Sequence, residues 1–293
     1  MRTISESGWR ELLNQQMEEA VEVLGSVPGV VGLIVGGSVG RGQPWPLSDI
    51  DVLPLYADRQ DKEAGASVER RRSALVECWG NAGIYRSLDC GWLAFWTEEV
   101  AEAVSREPAE AAALMKDRRW FFGLDKAWSG IPQADPTGLA AALLRWIQSA
   151  RFDPLVVDAR VRRWTAEARE ARQRAAELLA AGDHAACRAE IRLAANALME
   201  ALTERNGERS GSYSRAMTAF ERMAARHGLG REAATLLELS GSRVEDTSTR
   251  LAEIPAWLRR RIERARAARQ LVGEEVSEAE NARDQIVAFS TWF

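Results

Sequence analysis

The sequence predicts two parts of different class, an α/β or α+β N-terminal part and an all-helical C-terminal part. Three observations carry this. Apolar runs of strand length alternate with helical stripes up to about residue 130. A turn-rich stretch, Gly130-Ile131-Pro132 through Asp135-Pro136-Thr137-Gly138, follows. Beyond it Ala, Leu, Arg and Glu dominate and strand-forming runs vanish. The predicted division is therefore 1–130 and 137–293.

In the first part, Trp9, Leu12, Leu13, Ala20 and Leu24 mark one helical stripe that stops at Pro28-Gly29. Val30 to Val35 is β-branched and apolar and reads as a buried strand. Gly36-Gly37-Ser38 breaks it. Asp51 to Tyr56 reads as a second strand. Val68, Leu75, Val76 and Trp79 suit a helix ending near Gly80-Asn81. Ser87 to Trp96 reads as a third strand, and Thr97-Glu98-Glu99 as a helix start with a hydroxyl cap followed by acids. Trp120-Phe121-Phe122 reads as one more short strand closed by Gly123. In the second part, Val157, Val161, Trp164, Ala168 and Ala171 form one stripe, and Cys187, Ile191, Ala194, Leu198 and Leu202 another. Stops fall at Ala181-Gly182-Asp183, Asn206-Gly207 and His227-Gly228. Facing stripes of this kind predict a helical bundle.

Composition narrows the function. The 293 residues are 46% hydrophobic and 28% charged, as in a folded protein rather than a disordered or fibrous one. No apolar run reaches the roughly 18–20 residues of a membrane span. The polar start, Met1 to Leu13, lacks a signal-peptide core. Cys78, Cys90 and Cys187 are too few and scattered for a disulfide framework or zinc knot, so a cytoplasmic location is expected. His184 and His227 are far apart, which disfavours a histidine metal site. The net charge of −4 argues against a protein built to coat nucleic acid, although a local basic patch is left open. The cluster Arg259, Arg260, Arg261, Arg264, Arg266 and Arg269 reads as a solvated helix face, with phosphate or RNA contact as its functional alternative. Only Lys62, Lys116 and Lys126 are lysines among 39 basic residues, so any phosphate clamp is expected to be Arg. Monomer or homodimer is left open.

The chemistry sits in residues 36–51. Gly36, Gly37, Gly40 and Gly42 make a small-residue turn after a strand, which lets backbone N–H groups converge on an anion. Ser38 adds a hydroxyl and Arg41 a cation. Asp49 and Asp51 stand at i and i+2, and in a strand both carboxylates share a face. About 6–7 Å apart, they repel by roughly 2–3 kcal/mol at an effective dielectric near 20. That is wasteful beside apolar Ile50, Val52, Leu53 and Leu55 unless a divalent cation such as Mg²⁺ neutralises them. A phosphate cradle beside a carboxylate-held metal describes a nucleoside triphosphate site. Trp45, between two prolines, reads as either packing or a pocket wall. Neither a Walker loop nor a dinucleotide fingerprint is present.

Gly37-Ser38, Arg41-Gly42 and Ser48-Asp49-Ile50-Asp51 resemble the signature of the polymerase-beta-type nucleotidyltransferases, closest to the bacterial antibiotic (aminoglycoside-type) and minimal nucleotidyltransferases. The specific match covers about 25 residues. The resemblance implies a catalytic domain with a small mixed sheet over 1–130, and a helical bundle over 137–293 that shapes the acceptor site. It also implies a third carboxylate, for which Asp89 in Leu88-Asp89-Cys90 fits; Glu77, Glu98 and Glu99 rank lower. Asp49, Asp51 and Asp89 would be catalytic and hold one or two Mg²⁺, and Gly37, Ser38, Arg41 and Ser48 would bind the nucleotide. The implied reaction moves a nucleoside monophosphate, AMP from ATP, to a hydroxyl of a small acceptor such as an aminoglycoside-like antibiotic, with release of pyrophosphate. Its alternatives are transfer to a protein or RNA end, as in toxin–antitoxin pairs, and a nucleotide-binding module without chemistry.

Overall fold

The computed structural model describes residues 8–209, 212–245, 247 and 254–290. The chain divides into two compact units, Met1–Val156 and Val157–Phe293.

The first unit opens with α1 (Gly8–Gly25), which buries Trp9, Leu13, Gln16, Ala20 and Leu24 along the expected stripe. After the Gly29 turn come β1 (Val30–Val35), a single helical turn α2 (Gly37–Gly40) and β2 (Ile50–Tyr56), every residue of which is buried. α3 (Lys62–Asn81) starts at Asp61, whose carboxylate accepts from Ala64 N at 3.1 Å. There follow β3 (Leu88–Cys90), β4 (Phe95–Trp96), α4 (Thr97–Val104), α5 (Ala111–Leu114), α6 (Arg118–Ala127), β5 (Ile131–Gln133) and α7 (Leu139–Ala150). The strands form one mixed sheet in the order β3-β2-β1-β5, with β4 also on β2. β1 runs antiparallel to β2 and β5, while β3 and β4 run parallel to β2.

Three local expectations change. Residues 87–96 do not form one strand. β3 pairs with 50–52 and β4 with 55–56, and the gap lies opposite Leu53 and Pro54. Gly91, at φ 118°, turns the chain out of the sheet there, and Trp92 is left half exposed. The second correction is at Trp120-Phe121-Phe122, which is helix rather than strand. Trp120, Phe121, Leu124 and Ala127 make a helical stripe once the reading passes Gly123, and Asp117 caps it by accepting from Arg119 N at 2.7 Å. Gly123 does not end the element; it leaves room for the Phe95 ring, which would stand 2.7 Å from any Cβ there. Finally, the turn-rich segment after residue 130 contains β5, and α7 packs on β1 and β5. The first compact unit spans Met1–Val156 and so includes β5 and α7. Thr97 opens α4, but its hydroxyl donates to Tyr56 O, and Glu99 instead accepts from the Trp96 backbone N–H.

Beyond α7 the described structure is helical: α8 (Pro154–Ala180), α9 (His184–Arg205), α10 (Ala216–Arg226), α11 (Gly230–Leu239), α12 (Ala256–Leu271) and α13 (Glu278–Ser290). The first three of the four helices from α8 to α11 end at the predicted stops. A core of Ala195, Met199, Met217, Phe220, Met223, Leu236 and Leu237 joins α9, α10 and α11. The α9 stripe is displaced from expectation, with Leu198 exposed and Ala195 and Met199 turned inward. Arg269 is wholly buried and ion-paired to Asp284 at 2.5 Å, so it does not share the solvated face of Arg259, Arg260, Arg264 and Arg266. Among the described residues no helix is long and apolar enough to cross a membrane.

Candidate active site

The strand-turn-strand from β1 to β2 is held by small residues and side-chain hydroxyls. Gly36 N donates to Asp51 O at 2.9 Å. A Cβ on Gly36 would lie 2.6 Å from Lys126 O, so this glycine lets the end of α6 close onto the turn. Gly37 has φ 60°, and a Cβ there would lie 1.7 Å from Asp51 Oδ2. Only glycine permits the carboxylate to rest on the backbone at that point. The Ser38 and Ser48 hydroxyls are 2.8 Å apart, and Ser48 Oγ accepts from Trp45 N at 3.0 Å. Arg86 donates to Ser48 O and, at 2.7 Å, to Gln16 Oε1. These bonds pin the loop that delivers Asp49 to the start of β2.

Asp51 sits in the central strand with 3% exposure, and its Cα is paired in register with Asp89 on β3. Asp49, just before the strand, is half-buried. Lys126 reaches in from α6, its Nζ 2.6 Å from Asp51 Oδ1. Burial pushes the Asp51 carboxyl up to about 6, the neighbouring charge of Asp49 adds to the rise, and Lys126 opposes it; Asp89 adds a smaller push. Burial pulls Lys126 down, yet Asp51, Asp49 and Asp89 together outweigh it and hold the ammonium above its ordinary range. The three acids and the lysine are thus one electrostatic cluster. Asp51, Asp89, Cys90, Trp92 and Lys126 line a narrow cleft of about 10 Å³. That is room for one water and not for a phosphate. Burial, with Asp89 beside it, pushes the Cys90 thiol up to about 12, which leaves it a poor nucleophile.

No family model matches the chain, and no curated protein matches it.

Of the residues singled out from sequence, Asp49, Asp51 and Asp89 are brought together, and Gly37 abuts Asp51. Ser48 is buried, its hydroxyl engaged within the loop, and Ser38 holds it. Arg41 is half-buried at the end of α2. Trp45 is 1% exposed and is a packing residue, not a pocket wall. Glu77 and Glu98 are exposed, and Glu99 is clasped by both terminal nitrogens of Arg119 at 2.6 Å. Among the described residues, no three His, Cys, Asp or Glu side chains are grouped closely enough to hold a metal ion by themselves. Asp49, Asp51 and Asp89 therefore do not form a ready three-carboxylate cage.

A Mg²⁺ ion there would meet two protein carboxylates rather than three. This ion is ordinarily held by one or two carboxylates with substrate phosphates completing its shell, rather than by an all-protein cage. Asp49 and Asp51 are hard-oxygen donors of that kind, with the Lys126 ammonium already on Asp51 Oδ1.

Lys126 is the residue that sequence reasoning missed. Its signal was its rarity: it is one of only three lysines in the chain.

Proposed function

We propose that the first unit is a Mg²⁺-dependent nucleotidyltransferase that moves AMP from ATP to a hydroxyl of a small acceptor. The observation that carries this reading is the buried Asp51, in register with Asp89, electrostatically joined to Asp49 and pressed on the Gly37 backbone. Asp49 and Asp51 would hold the ion, which when bound neutralises the triphosphate and polarises its α-phosphorus. The triphosphate would lie outside the narrow cleft, against Ser38, the one residue of the Gly37–Gly40 turn that is not buried. Asp89 would accept the acceptor's hydroxyl proton as the new O–P bond forms and the bond to pyrophosphate breaks. Lys126 would supply positive charge beside the reacting phosphate, in a position fixed before substrate arrives.

Asp89's place beside Asp51 favours chemistry over a module that only binds. The interior position of Arg269 removes one support for an RNA acceptor, because the arginines of α12 do not form one continuous stripe.

The test is pyrophosphate release with labelled nucleoside triphosphates, Mg²⁺ and a panel of hydroxylated acceptors that includes aminoglycosides. Asp49→Asn and Asp51→Asn are each expected to lower the rate by about 100-fold or more. Asp89→Asn is expected to lower kcat with little change in nucleotide KM. Acceptor-dependent release that survives both of the first two substitutions overturns the reading.

A further inference from the structure

The second unit holds a cavity that the proposed chemistry does not use. It has a volume of about 240 Å³ and is lined in part by Arg209, Arg215, Arg222 and Arg226. On α10, Ala219, Arg222 and Arg226 fall at i, i+3 and i+7, a single helical face about 10 Å long, and Arg215 stands immediately before the helix. Ala219, between the arginines, is small enough to leave the space open. Ala216, Ala219, Phe220 and Met223 give the cavity an apolar wall, and Phe220 and Met223 also belong to the core beneath it.

Two glutamates tie the guanidiniums in place. Glu274 lies 3.5 Å from Arg215 and 3.1 Å from Arg222. Glu208 accepts from Arg226 at 2.7 Å, with His227 at 3.4 Å on the same oxygen. Arg209, Arg215, Arg222 and Arg226 outnumber Glu208 and Glu274 in the lining, in a chain whose net charge is −4. Arg222 and Arg226 keep about half of their surface open to solvent, so an incoming anion meets them directly.

We propose that this cavity binds a small organic phosphomonoester, with its phosphate on the Arg215–Arg222–Arg226 face and its carbon skeleton against the Ala219–Phe220–Met223 wall. A phosphomonoester carries about −1.5 to −2 charges near neutral pH, and the half-exposed Arg222 and Arg226 are the cations it meets. Planar guanidiniums suit phosphate oxygens in paired hydrogen bonds. The volume lies below the range of drug-sized pockets, which selects a sugar phosphate or mononucleotide over anything larger. Glu208 and Glu274 preorganise the arginines when the cavity is empty and compete with the phosphate when it is filled. This inference does not depend on the reaction proposed for the first unit.

The test is calorimetric titration of the full chain, at low salt and without divalent metal, with glucose 6-phosphate, AMP, inorganic phosphate and glucose. Both phosphomonoesters are expected to bind, inorganic phosphate more weakly, and glucose not at all. Arg222→Ala with Arg226→Ala is expected to weaken both esters by about tenfold or more. Glu208→Gln, which removes the competing charge, is expected to tighten them. Asp51→Asn is expected to leave them unchanged, which separates this cavity from the first unit. Absence of heat from either ester up to about 10 mM overturns the proposal. So does binding unchanged in the double arginine variant. Inorganic phosphate bound as tightly as the esters overturns the assignment of an organic ligand.

Discussion

Asp51 gives the site a measurable cost. An ordinary aspartate titrates near 3.8, and burial pushes this one to about 6. Between those values the folded chain binds a proton that the unfolded chain has released, so this group's contribution to stability falls as pH rises from about 4 to 6. Above pH 6 the loss levels off at of order 3 kcal/mol. Denaturant unfolding of the metal-free protein and of Asp51→Asn at matched pH isolates the effect. The variant is expected to gain on the parent through that window and hold a constant lead above it. A pH-independent difference would remove Asp51 from the list of buried charges. Lys126 limits this cost without abolishing it, because burial, with the charge of Asp49 added, outweighs the ammonium's pull.

Packing between α6 and the strand carrying Phe95 turns on one missing methyl group. Gly123 faces the Phe95 ring, and a Cβ would stand 2.7 Å from its tip. Gly123→Ala is expected to cost about 1–3 kcal/mol in thermal or denaturant unfolding, and Phe95→Leu in the same chain to recover part of it. Additive losses in the double variant would refute that contact as the cause. This region also marks where the sequence stopped being readable. The elements α1, β1, β2 and α3 were legible because each carries its own periodicity and its own turn residues. Asp49, Asp51 and Gly37 were legible because they lie within one short stretch. The helix at Trp120 was hidden because three adjacent aromatics suit either class, and the deciding stripe continues past a glycine. The interruption after Cys90 shows only in the pairing with β2, where Leu53 and Pro54 have no partner in β3 or β4, and Lys126 finds Asp51 through the close approach at Gly36. Such pairings between distant segments leave no local pattern.

Each unit must be intact to bury its own sheet or bundle. β5 completes the edge of the sheet on β1, and α7 buries Ala140, Leu143, Trp146, Ile147 and Ala150. A chain cut after residue 130 loses both, and is expected to show no cooperative unfolding transition. A chain cut after Val156 is expected to keep one, as followed by circular dichroism. The reverse outcome would return the boundary to the turn-rich segment. The lysine on α6, held in this same unit, has a further consequence for the order in which ligands arrive. On the proposed reading, a lone divalent ion entering from solution would find Asp51 already engaged by a cation that cannot diffuse away. An ion escorted by a polyphosphate would bring fresh anions that share that tethered cation where it stands, so the resting protein would favour the escorted ion over the solitary one.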